Sequence, residues 1–267
     1  MATMQHLHVT ILGSGTSTGV PVIGCPCAIC ASTEAGNKRL RSSILLTLPN
    51  DLGHIVVDTT TDFRTQMLRA KVKHLEVVLF THTHADHCHG FDDLRAFFFH
   101  SRRPVNCYLS PEHLQELQER FSYAFHNSGY HGTAPQTRIH TFTDEVPFPL
   151  LGLEVDPVRL PHGHTHTYAF RFGNFAYATD FKCFPPETIA RWRGKIHTMV
   201  ASGLHFRPHA THSSIPETIE LFKALEVKRG IITHLSHEVD YQRDQAQLPS
   251  YVELAYDEMT FSVNFPH

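Results

Sequence analysis

The most constraining feature of this 267-residue chain is an apolar run, Val77-Val-Leu-Phe80, that passes directly into Thr81-His82-Thr83-His84-Ala85-Asp86-His87. The run reads as a buried strand, and the end of a strand leading into a loop is where open α/β sheets place ligands. Residues two apart on an extended segment project to the same side, so His82 and His84 converge on one ion. The turn that follows aims Asp86 and His87 at a second position nearby. Imidazoles combined with a hard carboxylate suit Zn²⁺, Mn²⁺ or Fe²⁺.

One loop cannot supply every ligand for two ions. Three further positions carry a His or Asp at the exit of a β-rich run: His162 after 153–161, Asp180 after 175–179 and His234 after 230–233. Each alone reads as a polar loop residue. Together, in a chain with 23 histidines, they favour a metal centre. Other β-rich runs are 9–12, 44–48, 55–58, 105–109, 168–172, 199–201 and 259–265. Helices are predicted at 62–70, 111–121 and 214–225, the last with a Ser214/Glu217 capping box and Pro216 in its first turn. Strands alternating with helices, without linker or repeat, predict one layered α/β domain spanning 1–267. The stretch from Gln242 reads as a loop up to the run at 259–265.

Three of the six cysteines crowd into Cys25-Pro-Cys27-Ala-Ile-Cys30, while Cys88, Cys107 and Cys183 lie apart. That is not a disulfide framework, and it fits a cytoplasmic protein with a thiolate metal site. A structural Zn²⁺ needs a fourth ligand. In Thr233-His234-Leu-Ser-His237 one His can turn toward the catalytic site and the other, His237, outward. No run approaches the roughly 20 apolar residues of a membrane helix, and the first residues lack a signal-like apolar core. A net charge of −3 with only short basic clusters predicts no nucleic-acid partner. Gly13-x-Gly-x-x-x-Gly19 lacks the dinucleotide and P-loop signatures and reads as a tight turn leading to the cysteine loop.

Strand, Thr-His-Thr-His-Ala-Asp-His, an isolated His, an Asp after a short strand and a late Thr-His resemble the metallo-β-lactamase superfamily along nearly the whole chain. The resemblance implies a four-layer αββα sandwich. It implies that His82, His84 and His162 hold one divalent metal (Zn²⁺ or Mn²⁺), that Asp86, His87 and His234 hold a second, and that Asp180 bridges them. Asp58 looks like the family's structural Asp beneath the metal loop, and His164 and His166 compete with His162. The Gly13–Gly19 turn, the Cys25–Cys30 cluster and Thr-His-Leu-Ser-His together resemble the cyclic phosphodiesterases of the carbon–phosphorus lyase pathway. Those enzymes open phosphoribosyl 1,2-cyclic phosphate and carry a structural zinc on matching Cys, Cys, Cys and His positions. His212, in Ala210-Thr-His-Ser-Ser, falls where that group has an active-site His. The chain departs from the pattern at Thr59-Thr60-Thr61 and along 121–131, an aromatic stretch that suits an active-site cover, a homodimer contact or a helix end packed on the core.

These features predict a hydrolase of small phosphodiesters in which water ionises at a metal pair. His212 and Asp86 are its expected catalytic residues, with His212 protonating the leaving group. Competing readings are a tRNA 3′-end endonuclease, a thioesterase or lactonase of the same fold, and a metal-binding protein without activity. The last predicts missing ligands, and none of the seven is missing.

Overall fold

The computed structural model describes residues 5–125 and 133–265, and part of the aromatic stretch 121–131 therefore lies outside the described residues. Fourteen strands form two seven-stranded sheets. The first holds β1 (Gln5–Gly13), β2 (Ser43–Thr47), β3 (His54–Val57), β4 (Val77–Leu79), β5 (Val105–Leu109), β6 (Thr137–Thr141) and β14 (Thr260–Phe265), in the order β14-β1-β2-β3-β4-β5-β6. The second holds β7 (Phe148–Leu150), β8 (Leu153–His162), β9 (Thr165–Phe172), β10 (Phe175–Ala178), β11 (Thr198–Ser202), β12 (Arg229–Thr233) and β13 (Val252–Leu254), in the order β13-β12-β11-β10-β9-β8-β7. Each sheet is therefore built from one half of the chain, except that β14 returns to pair antiparallel with β1.

Period-two alternation decides which side chains meet. Ile55, Val57, Val77 and Leu79 face Phe170, Tyr177, Val200 and Ile231 across the gap between the sheets. Val56, Val78 and Cys107 point outward, to Phe63, Met67, Phe97 and Leu117. Strands buried on both faces need unbroken apolar sequence, as 55–57 and 77–79 have. Helices cover the outer faces: α2 (Phe63–Arg69), α3 (Ala85–Cys88), α4 (Arg95–Ser101), α5 (Pro111–Arg120) and α6 (Ser122–Phe125) come from the first half, with α1 (Ala28–Ala31) in the cysteine loop. From the second half come α7 (Pro186–Trp192), α8 (Ile215–Leu225) and α9 (Tyr241–Gln245). The result is the four-layer αββα sandwich.

Helix α8 shows how local and tertiary terms agree. Ser214 accepts from the Glu217 amide and Glu217 accepts from the Ser214 amide at 2.7 Å, the predicted capping box. Its apolar face lies close to β12 because Gly230 has no side chain; a Cβ there would sit 2.4 Å from the Phe222 ring. The region after Gln242 corrects the sequence expectation. It contains α9 and β13 before the closing strand, which begins at Thr260. Both elements are five residues or shorter, too brief for periodicity to reveal. Strands β6 and β7 and helices α4 and α7 also escaped sequence patterning.

Candidate metal centre

Strands β3–β6 run parallel to one another, as do β10–β13, and β8 is antiparallel to β9, which is antiparallel to β10. The carboxyl ends of β4, β8, β10 and β12 carry His82, His162, Asp180 and His234. His84 stands at the N-cap of α3, whose first turn supplies Asp86 and His87. The donor atoms of His82, His84 and His162 lie within 4.8 Å of one another, and so do those of Asp86, His87 and His234. Asp180 groups with His82 and His87 on one side and with His162 and His212 on the other. Its Oδ1 is 3.1 Å from His234 Nε2 and its Oδ2 is 3.0 Å from His87 Nε2. All seven residues named from the sequence are thus brought together. His166 is not among them; it stacks on His113 with ring centroids 4.5 Å apart.

The donors suit divalent cations. His82 Nε2, His87 Nε2 and His234 Nε2 are buried and lack a partner in hydrogen-bonding geometry. Carboxylate oxygens lie 3.0–3.2 Å from His87 Nε2, at contact distance but poorly aligned, as ligands around a shared cation are. Burial works against charging His87, yet Asp86, Asp180 and Asp58 together raise its pKa well above the usual histidine range. The pocket therefore favours positive charge. Burial alone would raise the Asp180 carboxyl, but His234 and His87 override it and hold it well below the usual range.

Orientation comes from neighbours. Asp58 is fully buried and accepts from the Thr81 amide at 2.8 Å and the Thr81 hydroxyl at 2.7 Å. His87 Nδ1 donates at 2.7 Å to the same Asp58 oxygen, Oδ2, that takes the Thr81 hydroxyl, and His82 Nδ1 is 3.0 Å from the Thr81 hydroxyl oxygen. With the Thr81 proton committed to Asp58, His82 must donate through Nδ1, leaving Nε2 bare. Similarly, His162 Nδ1 faces the Thr211 carbonyl at 3.4 Å. One buried carboxylate thus sets the tautomers of two imidazoles. Asp58, Asp180 and His234 all have positive φ, at 69°, 56° and 60°. Such backbone is uncommon outside glycine and collects at functional sites.

A cavity of about 410 Å³ opens onto this cluster, lined in part by Ser17, His84, Asp86, His162, Asp180 and His212. His212 Nδ1 lies 3.3 Å from Asp180 Oδ1. Burial pushes the His212 imidazole down to about 3, with Asp180 pulling the other way. Burial also works against the charged form of Asp86, yet His87 prevails and holds it down to about 2. Sequence reasoning missed His209, whose Nδ1 accepts from the amides of Thr211 and His212 at 3.3 Å and so pins the loop carrying His212. It also missed Glu116 of α5, which accepts from the Thr83 hydroxyl in the metal loop. Nothing local signals either contact.

The second cluster sits at the other end of the His234 loop. Sγ of Cys25, Cys27 and Cys30 lie 3.3, 3.6 and 3.6 Å from His237 Nδ1. Cys27 caps α1, and the Cys30 amide pointing at its sulfur holds the thiol down to about 6. The Cys30 amide, 3.4 Å from Cys27 Sγ, favours the thiolate, the form that binds zinc; at Cys30 burial raises the thiol even though the Val22 amide, 3.3 Å from its sulfur, works the other way. Buried Arg39 donates to the carbonyls of Ser236 and Val239, tying the two loops together.

Residues 54–235 match the beta-lactamase superfamily domain, and the chain belongs to that superfamily. More particularly, it is similar to a diphosphatase from the PhnP family, with a TM-score of 0.90 and 33% identity over 98% of this chain and 99% of that one. It shares its fold with Zn²⁺-bound PqqB from Methylobacterium extorquens, at a TM-score of 0.77 and 20% identity over 96% and 100% of the chains. An octanoyltransferase of Porphyromonas gingivalis is 34% identical over 254 residues, 94% of this chain and 50% of that protein. The chain thus spans half the length of that relative. Among the described residues no helix is long and apolar enough to cross a membrane.

Proposed function

We propose that the chain hydrolyses a phosphodiester bond in a small molecule, a cyclic phosphate or a close relative of one. In this reading two divalent ions, Zn²⁺ or Mn²⁺, sit on the seven His and Asp ligands, and one structural Zn²⁺ sits on Cys25, Cys27, Cys30 and His237. A divalent pair supplies Lewis acidity that lets water ionise near neutral pH and offsets charge developing on phosphoryl oxygens. Asp180 holds the two halves of the centre together, and Asp86 anchors the second half from the cavity wall. His212, neutral at rest, takes the proton that the attacking water loses and delivers it to the leaving oxygen.

The observation that carries the reading is His212 on the cavity wall, 3.3 Å from Asp180 and beside His162, with ring centroids 4.9 Å apart. A proton carrier at that position serves a poor alkoxide leaving group. Ser17, in the glycine-rich turn, lines the same cavity and supports a polar substrate. Acyl transfer through a cysteine acyl-enzyme would need an accessible thiolate there. Cys88, next to the metal loop, is fully buried, and burial pushes its thiol up to about 12. The similarity to a PhnP-family diphosphatase points the same way, toward phosphorus chemistry.

One metal-loaded preparation assayed against a ribose cyclic phosphate, bis-p-nitrophenyl phosphate, a dinucleoside diphosphate and an acyl thioester tests the assignment. Turnover of the phosphodiesters is expected to dominate. Preference for the diphosphate would move the scissile bond to a phosphoanhydride, and preference for the thioester would overturn phosphorus chemistry altogether.

A further inference from the structure

On the outer face of the first sheet, α2 and α4 do not close on each other. Between them lies a groove of about 540 Å³, within the roughly 300–1,000 Å³ range of small-molecule sites. Phe63, Met67 and Phe97 form its buried floor, with the Phe63 and Phe97 rings edge to face at 6.3 Å. Leu68 forms a wall and is 62% exposed, a large apolar side chain left in water.

The rim is basic. Arg64, Lys73, His74 and His100 line it, against a single acid, Asp93. Among the described residues none of these four basic groups forms an ion pair, so their charge is open to an anion at the groove. His74 also lines an adjoining polar cleft with Arg103 and Arg138, which are likewise without ion pairs among the described residues. An apolar trough bordered by uncommitted cations matches one ligand chemistry, an alkyl tail carrying an anionic head. Each half alone would leave the other unsatisfied: a neutral hydrocarbon ignores the cations, and a bare anion leaves Leu68 in water.

We propose that this groove binds a fatty-acid-like amphiphile, its tail along Phe63, Met67, Leu68 and Phe97 and its carboxylate at Arg64, Lys73 and His74. The site lies on the outer face of the first sheet and is separate from the cavity over the metal centre.

Calorimetric titration of the full, metal-loaded chain with monomeric sodium decanoate tests this, with decanol and acetate as probes of tail and head alone. Saturable decanoate binding is expected, with much weaker binding of either partial probe. Leu68→Glu and Lys73→Glu, both at exposed positions, should each weaken it roughly tenfold or more, the first by setting a charge against the tail and the second by facing the head with like charge. Both variants should keep the parental melting temperature and turnover of bis-p-nitrophenyl phosphate. Absence of saturable binding, or binding indifferent to both substitutions, overturns the proposal. So does binding confined to anionic phosphatidylglycerol vesicles, or a dimer that Leu68→Glu dissociates while decanoate does not bind; these would make the face a membrane or subunit contact.

Discussion

Cys25, Cys27 and Cys30 lie within six residues of chain and need only His237 from afar, whereas the His/Asp centre gathers its seven donors from the ends of four strands and one short helix. The cysteine cluster is half-exposed at Cys25, Cys27 and His237. In the other centre His82, His87 and His234 are at most 1% exposed. A cluster assembled by a loop contributes to folding through the cation it closes around. A cluster assembled by strand ends is already positioned by the sandwich, so its cation is free to do chemistry. Only two residues, Leu235 and Ser236, separate His234 from His237, which makes the independence of the two clusters open to direct measurement.

The largest effect is expected at the residue shared by both halves of the buried centre. Asp180→Ala should reduce turnover to near background, on the order of 10⁴-fold or more, and retain at most one catalytic ion by elemental analysis. The cysteine-bound zinc should stay in place. Full occupancy of both ions in this variant would show that another residue spans them.

His212→Ala should divide substrates by leaving group. A ribose alkoxide leaves poorly without a proton, so roughly 10²–10⁴-fold is expected to be lost there, and far less with p-nitrophenolate. Metal content and melting temperature should not change. Equal losses on both substrates would reassign His212 to holding the phosphoryl group.

Asp58→Asn probes the support beneath the ligands. The amide has one acceptor oxygen where the carboxylate has two, so it cannot serve both the Thr81 amide on one side and the Thr81 hydroxyl with His87 on the other; metal affinity should fall about 10–100-fold, read by competition with a chelator. Unchanged affinity would mean that packing alone orients His82 and His87.

The smallest effect on turnover is expected at Cys27. Cys27→Ser should release one tightly held zinc and lower the melting temperature on the order of 5–10 °C, while turnover per folded molecule stays near parental. Lost turnover at an unchanged melting temperature would erase the distinction between the centres and make Cys27 a reactive thiol.

Much of this was readable along the chain, for a physical reason. Val77–Phe80 and 55–57 are apolar at every position because both faces of those strands are buried, and the His-rich loop follows at once. The α8 cap is a three-residue relation, and the cysteine spacing spans six residues; short-range chemistry leaves short-range marks. His162, Asp180 and His234 could be named as strand-exit residues, but their convergence depends on β8, β10 and β12 being alternate strands of one sheet that run in the same direction. No local pattern encodes that. The same holds for Thr211 opposite His162, His209 under the His212 loop and Glu116 on Thr83, contacts between residues distant in sequence or hidden in irregular turns. What the sequence determined was which side chains could bind metal and where strands would end. Tertiary structure alone decided which ends meet, because two packed sheets bring their carboxyl edges to one rim, and there the positive-φ turns at Asp58, Asp180 and His234 aim the donors inward.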